Sequence, residues 1–383
     1  MHPIQMVDTK RQYLKIKEEV DQAIQEVVES SIYIGGKQVT GFAENLAAYL
    51  GVKHVIPCAN GTDALQIAFM ALNLQPGDEV ITPSFTYIAT VEAAALLKIK
   101  PVFVEVDPKT FCIDPAVIEA AITPKTKAIV PVHLYGQSAD MEPIMAIAKK
   151  HNIYVVEDNA QAIGSEYRFS DGTVKKTSSI GDIGCISFYP SKNLGAFGDA
   201  GAITTNDDEL AAKLKMIAVH GQSKQYYHDV VGCNSRLDAL QAAVLNIKLK
   251  HLETYNAARI ALADAYDKAF AGNEKIKTPF RAANNKHVFH QYTIVLNIPE
   301  GAAEKRNGLK EYLSQQGIPS MIYYPVPSHK QKMFEAYGGA EYILPLTDWL
   351  NDRVISLPMH TEMEADQVEF ITGHVLNYVN NLQ

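Results

Sequence analysis

The sequence predicts an α/β protein: a large domain over residues 1–250 with a mainly parallel sheet flanked by helices, then a smaller α+β domain over residues 251–383. Three observations predict it. Short strand-like segments alternate with helical ones from residue 54 to residue 192, the order that builds a parallel sheet. Those strand-like segments are nearly continuous in apolar residues, as strands covered on both faces must be. After Pro279 the alternation stops and the texture becomes mixed.

Taken in order, QYLKIKEEVDQAIQEVVES (12–30) has helical spacing with polar flanks, and SIYIGGKQVTG (31–41) reads as a loop. GFAENLAAYL is a second helix, stopped by Gly51. HVIPCAN, DEVITPSF, KPVFVEVD, AIVPVHLYG, NIYVVEDNA and GCISFYPSK are strands. GTDALQIAFMALNL, TYIATVEAAALLK, DPAVIEAAIT and MEPIMAIAKKHN are the helices between them. Residues 236–270 form one long helical pattern, which the domain boundary near residue 250 divides. HQYTIVLNI is a strand, RNGLKEYLSQQG a helix, and PSMIYYPVP a strand and turn.

Composition excludes several function classes. The 383 residues carry a net charge of −8, so no basic excess exists to neutralise nucleic acid or an anionic membrane. No run of about 18 apolar residues occurs, and the charged N-terminal stretch has no apolar signal core, which points to a cytoplasmic protein. Cys58, Cys112, Cys185 and Cys233 are far apart with no C-x-x-C pair, so buried reduced thiols are expected and neither a disulfide framework nor a metal site is.

Three places carry chemistry. Asn60-Gly61-Thr62-Asp63 falls where a strand passes into a helix, and free N–H groups at a helix N-terminus make an anion site. Simple N-capping explains the same residues equally well. Asp158 ends a strand, and ligands of open α/β sheets sit beyond strand carboxyl ends. There a carboxylate can hold a ring nitrogen protonated, although it can also cap the next turn. Lys192 leaves a buried strand for the glycine-rich stretch NLGAFGDAGA, 34 residues after Asp158. Desolvation favours its neutral amine, the form that attacks an aldehyde. Singly, each is ordinary; as a set they suggest a pyridoxal 5'-phosphate (PLP) site.

NGTDAL, PSFTYIATVEA, VEDNAQAIG, ISFYPSKNLGAFGDAGAITTND and VGCNSRLDALQAA resemble the DegT-type sugar-nucleotide aminotransferases along essentially the whole chain. The resemblance implies the aspartate-aminotransferase fold, called fold type I of the PLP-dependent transferases. It implies that Lys192 holds PLP as a Schiff base, that Asp158 pairs with the pyridine nitrogen, and that Gln161 lies on the ring-hydroxyl side. It further implies that Phe85 stacks on the ring. Gly61, Thr62, Asp63 (through its backbone) and Ser187 would hold the phosphate, with Asn234 reaching it from the other subunit of a homodimer. Arg236, His220, Tyr323, Tyr324, His329 and Lys330 match positions near the substrate; His133 and His290 read as structural or merely lining.

The same resemblance implies L-glutamate as amino donor, 2-oxoglutarate as its product, and a UDP- or dTDP-linked 3-keto sugar as acceptor, in polysaccharide or lipopolysaccharide biosynthesis. The nearest subgroup aminates UDP-2-acetamido-2-deoxy-3-keto-glucuronate. One departure stands out: Val219 precedes His220, where the resemblance implies an arginine, suited to a sugar carboxylate, in that subgroup. A dTDP-3-keto-6-deoxyhexose is the rival acceptor. Three other classes compete: a PLP-fold dehydratase, whose histidine in place of the lysine is not found here; a non-catalytic member; and an NAD-dependent oxidoreductase, whose glycine fingerprint is absent.

Overall fold

A computed structural model describes residues 2–382. Three helices come first: α1 (Thr9–Lys15), α2 (Lys17–Ser30) and α3 (Gly36–Leu50). The stretch expected as one helix over 12–30 breaks at Ile16 (φ −123°, ψ 17°), whose side chain is buried against Val20 and Val244. Packing of that side chain overrides helical continuity. α3 starts at Gly36, earlier than the expected Gly41, and ends on Gly51 at φ +72°, a left-handed cap that glycine adopts without strain.

The alternating region follows: β1 (His54–Cys58), α4 (Gly61–Ala71), β2 (Glu79–Pro83), α5 (Ala89–Leu96), β3 (Lys100–Val104), α6 (Pro115–Ala121), β4 (Thr126–Ile129), α7 (Met141–His151) and β5 (Tyr154–Asp158). Then come β6 (Glu166–Arg168), β7 (Val174–Lys176), β8 (Ile183–Ser187), β9 (Gly201–Thr205) and α8 (Asp208–Ala218). Seven strands form one sheet in the order β1-β9-β8-β5-β4-β2-β3, and only β9 runs against the rest. β2 and β9 are buried at every position, as the near-continuous apolar runs require. The mainly parallel α/β sheet expected from the sequence is therefore present. β9 was not expected, and neither was the β6–β7 hairpin, which turns through Asp171-Gly172.

The rest of the chain holds β10 (Gln222–Lys224), β11 (Tyr227–His228), α9 (Ala239–Lys250), α10 (Leu252–Phe270), β12 (Ile276–Lys277), β13 (Asn285–Lys286), β14 (Tyr292–Leu296), α11 (Ala302–Gln315), α12 (Pro345–Asn351), β15 (Val354–Leu357) and α13 (Ala365–Asn380). α9 and α10 meet at His251, so the long helical pattern is two helices. β12, β14 and β15 form an antiparallel sheet whose core includes Tyr266, Phe270, Leu309 and Ile371 from α10, α11 and α13. The segment expected as a strand at 319–327 pairs only at Met321, across from Ser356; Pro325 and Pro327 remove the donors a longer ladder needs. No helix among the described residues is long and apolar enough to cross a membrane.

The parallel strands deliver the chain to one edge. β1 ends before Asn60, β5 ends at Asp158, and β8 ends at Ser187. Glu157, on the opposite side of β5 from Asp158, is completely buried. Its carboxylate accepts from the N–H groups of Ser178, Ile180 and Gly181 at 2.9, 2.8 and 2.7 Å. His133 Nδ1 accepts from the Ala139 N–H at 3.0 Å, so its proton is on Nε2, which donates to Glu157 at 2.8 Å.

Replacing Glu157 with Ala should orphan four buried donors, each costing about 1–3 kcal/mol. A clear fall in the urea midpoint is expected, with Glu157→Gln between the two. An unchanged midpoint for the Ala variant would show that this carboxylate does not hold the sheet edge.

Candidate active site

A cavity of about 630 Å³ opens at that edge, lined by residues that include Asn60, Gly61, Thr62, Asp158, Gln161, Ser187, Lys192, Tyr323 and Tyr324. At its base Asn60 caps α4, its side-chain oxygen accepting from the Asp63 N–H at 2.8 Å. That leaves the Gly61 and Thr62 N–H groups at the helix mouth without a partner among the described residues. A Cβ at Gly61 would stand 2.8 Å from Ser187 Cβ, so only glycine lets the two chains converge here. Two free amides, the Thr62 and Ser187 hydroxyls and the positive end of a helix dipole form a set of donors suited to a phosphate. Asp63 contributes less than expected: its own N–H is taken by Asn60, and it does not line the cavity.

On the far wall, Asp158 Oδ2 accepts from Thr90 Oγ1 at 2.7 Å, and Oδ1 from the Ala160 N–H at 3.1 Å. Gln161 lies in a turn; its Oε1 accepts from the Tyr135 N–H at 2.9 Å and its Nε2 donates to Tyr324 Oη at 3.0 Å. Burial pushes the Tyr324 hydroxyl well above the usual tyrosine range, partly offset by Gln161, so it stays protonated. Lys192 reaches in from the loop after β8. Burial lowers its amine to about 8, while the negative charge of Asp158 pulls the other way. His290 borders the same cavity and is held neutral, first by burial and then by the nearby charges of Lys192 and Arg259.

Several expected residues lie off this wall. Phe85 points into the core behind it, its ring 6.1 Å from Phe111 and 6.4 Å from both Tyr135 and Tyr324. The aromatic on the wall is Tyr87, two residues on, more than half exposed and 6.0 Å from the Tyr324 ring. Asn234 and Arg236 line an adjoining cavity of about 320 Å³, which shares Asp199 with the first. His220 is exposed in the loop after α8 (φ +63°). His329 is buried against Ser84 and Phe103, its Nδ1 2.7 Å from Ser84 Oγ. Lys330 pairs with Asp348 at 2.6 Å on the surface. None of these three borders the large cavity. Cys233 is half-buried where a buried thiol was expected, beside Met70.

The sequence alone does not single out Thr90 or Tyr87; His290, expected as structural or merely lining, does line the cavity. Thr90 and Tyr87 sit in an apolar-rich helical stretch with no distinguishing pattern, and His290 begins a strand-like run. Only the folded chain shows that Tyr87 and His290 border one cavity and that Thr90 holds the Asp158 carboxylate lining it.

The chain matches the model of the DegT/DnrJ/EryC1/StrS aminotransferase family over residues 14–376. It is 45% identical to a "pleiotropic regulatory protein" of Geobacillus stearothermophilus, covering 98% of each chain. It is also 45% identical to the UDP-2-acetamido-2-deoxy-3-oxo-D-glucuronate aminotransferase of Pseudomonas aeruginosa, covering 98% of this chain and 100% of that one. Identity is again 45% with a UDP-N-acetyl-3-dehydro-α-D-glucosamine 3-aminotransferase of Acidithiobacillus ferrooxidans, over 95% of each. The fold superposes on the crystal structure of DesV from S. venezuelae with a TM-score of 0.92 at 38% identity, covering both chains fully. Solved structures of the same shape carry the cofactor as PLP or as its amine form.

In cofactor-free protein, labelling of Lys192 with an amine-selective reagent, followed by peptide mass spectrometry, should show a midpoint near pH 8 rather than 10.5. Asp158→Asn removes a charge that favours the ammonium, so the midpoint should fall further. A rise in that variant would contradict the electrostatics described here.

Proposed function

The chain belongs to the DegT/DnrJ/EryC1/StrS aminotransferase family, and from that premise we propose that it moves an amino group from L-glutamate to the C3 ketone of a UDP-linked sugar. The acceptor we put first is UDP-2-acetamido-2-deoxy-3-keto-D-glucuronate, the substrate in the name of the P. aeruginosa relative, which this chain matches over 98% of its length. The single observation that carries the reading is that Lys192, Asp158 and the α4 phosphate cradle border one cavity. Lys192 also separates it from a dehydratase or a non-catalytic reading, whatever the name of the G. stearothermophilus relative.

The enzyme uses PLP, which when bound supplies an electron sink for the carbanion formed at the donor's Cα. Gly61, Thr62 and Ser187 would hold its phosphate, joined by Asn234 of the partner subunit in the homodimer. Asp158, fixed by Thr90 and Ala160, would pair with its ring nitrogen, and Tyr87 rather than Phe85 would offer it an aromatic face. Gln161 and the protonated Tyr324 supply neutral hydrogen-bonding groups on the side away from the phosphate. With its pKa near 8, the Lys192 amine exists in both forms near neutrality. Its Nζ takes the proton leaving the donor's Cα and, in the second half of the cycle, returns one to sugar C3.

One observation favours a sugar neutral at C6. Val219 is followed by His220 and pairs through its backbone with Asn234. Valine cannot bind a carboxylate, Lys330 is engaged by Asp348, and Lys224 sits on the exposed β10–β11 hairpin. The A. ferrooxidans relative, equally identical, is named for such a neutral sugar. The reading also includes a cytoplasmic homodimer that binds neither membrane nor nucleic acid, a role in cell-surface polysaccharide synthesis, and a division into units 1–250 and 251–383. Tyr323 and Tyr324, from the second unit, border the cavity of the first.

Lys192→Ala should lose at least about 10²–10⁴-fold in glutamate-dependent amine transfer while its circular dichroism spectrum is retained. A panel of UDP-3-keto-glucuronate, UDP-3-keto-N-acetylglucosamine and dTDP-3-keto-6-deoxyhexose decides the acceptor. Transfer to the deoxyhexose alone would overturn the UDP assignment. Near-normal transfer by the Lys192 variant would overturn the whole reading.

A further inference from the structure

The loop that carries Lys192 is strapped from behind by one row of polar side chains. Gln241 and Lys248 of α9 and Asn256 of α10 stand at spacings of seven and eight residues, a single stripe along consecutive helices. Each grips the loop at a different point. Asn193, next to Lys192, donates from its side-chain amide to Asn256 Oδ1 at 2.8 Å and to the Val288 carbonyl at 2.9 Å. Lys248 Nζ donates to the Gly195 carbonyl at 2.6 Å. Gln241 Oε1 accepts from the Phe197 N–H at 2.8 Å. The loop has no slack of its own here: a Cβ at Gly195 would stand 2.3 Å from the Pro190 carbonyl oxygen.

Lys248 is the unexpected member. Its side chain is 2% exposed, its ammonium has no acidic partner among the hydrogen bonds and ion pairs of the described residues, and it lies 5.7 Å from the Phe197 ring. Burying an ammonium against one carbonyl and one ring is expensive, and an apolar side chain of the same length would fill the space more cheaply. A long side chain with a mobile donor can do one thing the apolar one cannot, which is to fix the direction of the Gly195 carbonyl.

We infer that Lys248 is a positioning residue for the amine-transfer reaction: by gripping Gly195 it sets the course of residues 193–197 and so the reach of Lys192 into the cavity. It touches neither the cavity nor Lys192 itself. Gln241 and Asn256 act with it, and Asn256 extends the coupling, its Nδ2 donating at 3.2 Å to the Ile163 carbonyl just beyond Gln161. The inference rests on the assignment of Lys192 made above.

The test uses Lys248→Met in the full-length protein, with Lys248→Arg and Gln241→Met beside it. Met removes a buried charge at similar volume, so the thermal midpoint should hold or rise. If Lys248 positions Lys192, the labelling midpoint of Lys192 in cofactor-free Lys248→Met should nonetheless move up by about one pH unit, as its amine gains solvent. Asp158 from β5, the charge that otherwise acts on that midpoint, and the neutral His290 ahead of β14 beside the same cavity are untouched. In the holoenzyme kcat should fall by about tenfold to a hundredfold with KM little changed, and Lys248→Arg should recover part of the loss. Gln241→Met, at a half-buried site, should shift both readouts the same way to a smaller degree. An unmoved labelling midpoint with normal kcat in both Met variants would overturn the inference. So would changes that appear only together with a lower thermal midpoint, because they would mark general loosening. A wild-type midpoint near 10.5 would instead count against the assignment of Lys192.

Discussion

The arrangement depends on a carboxylate that performs no chemistry. Glu157 is sealed inside the protein and saturated by three amides of the Ser178–Gly181 turn and by His133. A buried carboxylate is tolerated only when its lone pairs are met, and here four donors meet them. The consequence is geometric. The bonds fix the end of β5 to the turn that leads into β8, so the two strands that deliver Asp158 and Ser187 cannot slide apart. Because successive strand residues point to opposite faces, fixing Glu157 on one side fixes Asp158 on the other.

The same economy recurs around the cavity. Groups with chemical work to do are held by neighbours with none, Asp158 by Thr90 and Gln161 by the Tyr135 amide, and the loop that carries Lys192 is held in the same way through Asn193 and Asn256. Polar groups that are already engaged cannot drift to competing partners, which keeps the cavity wall in one arrangement.

Much of this was legible in the amino-acid order. The run of apolar strands and amphipathic helices announced the sheet, and the strand ends located Gly61, Asp158 and Lys192 at one edge before any coordinates existed. Position on a wall was less legible. Phe85 and Tyr87 are both aromatic and both follow β2, and nothing in the local sequence says which turns outward; packing against Phe111 and Tyr135 decides it. β9 was missed because Gly201-Ala202 reads as a continuation of the glycine-rich loop, and its outer neighbour β1 is distant in sequence. His329 was expected near substrate, but its contact with Ser84, made across 245 residues, turns it into the interior of this chain. Long-range partners of this kind leave no local signature.

The reversed strand has one more consequence. Ser187, the last residue of β8, pairs directly with Gly201, the first of β9, so residues 188–200 leave the sheet and re-enter it through the same paired base. Such a segment is a closed ring whose closure entropy is already settled by the ladder beneath it. Phe188, Leu194, Ala196 and Ala200 of the ring are buried in one core with Ile186 of β8 and Ala202 of β9, so sequence drift within it would be felt by the reach of Lys192 and by the packing of the sheet together. The ring is therefore no interchangeable cassette: tied to α9 and α10 as well as to the sheet, it cannot change its reactivity without the architecture around it.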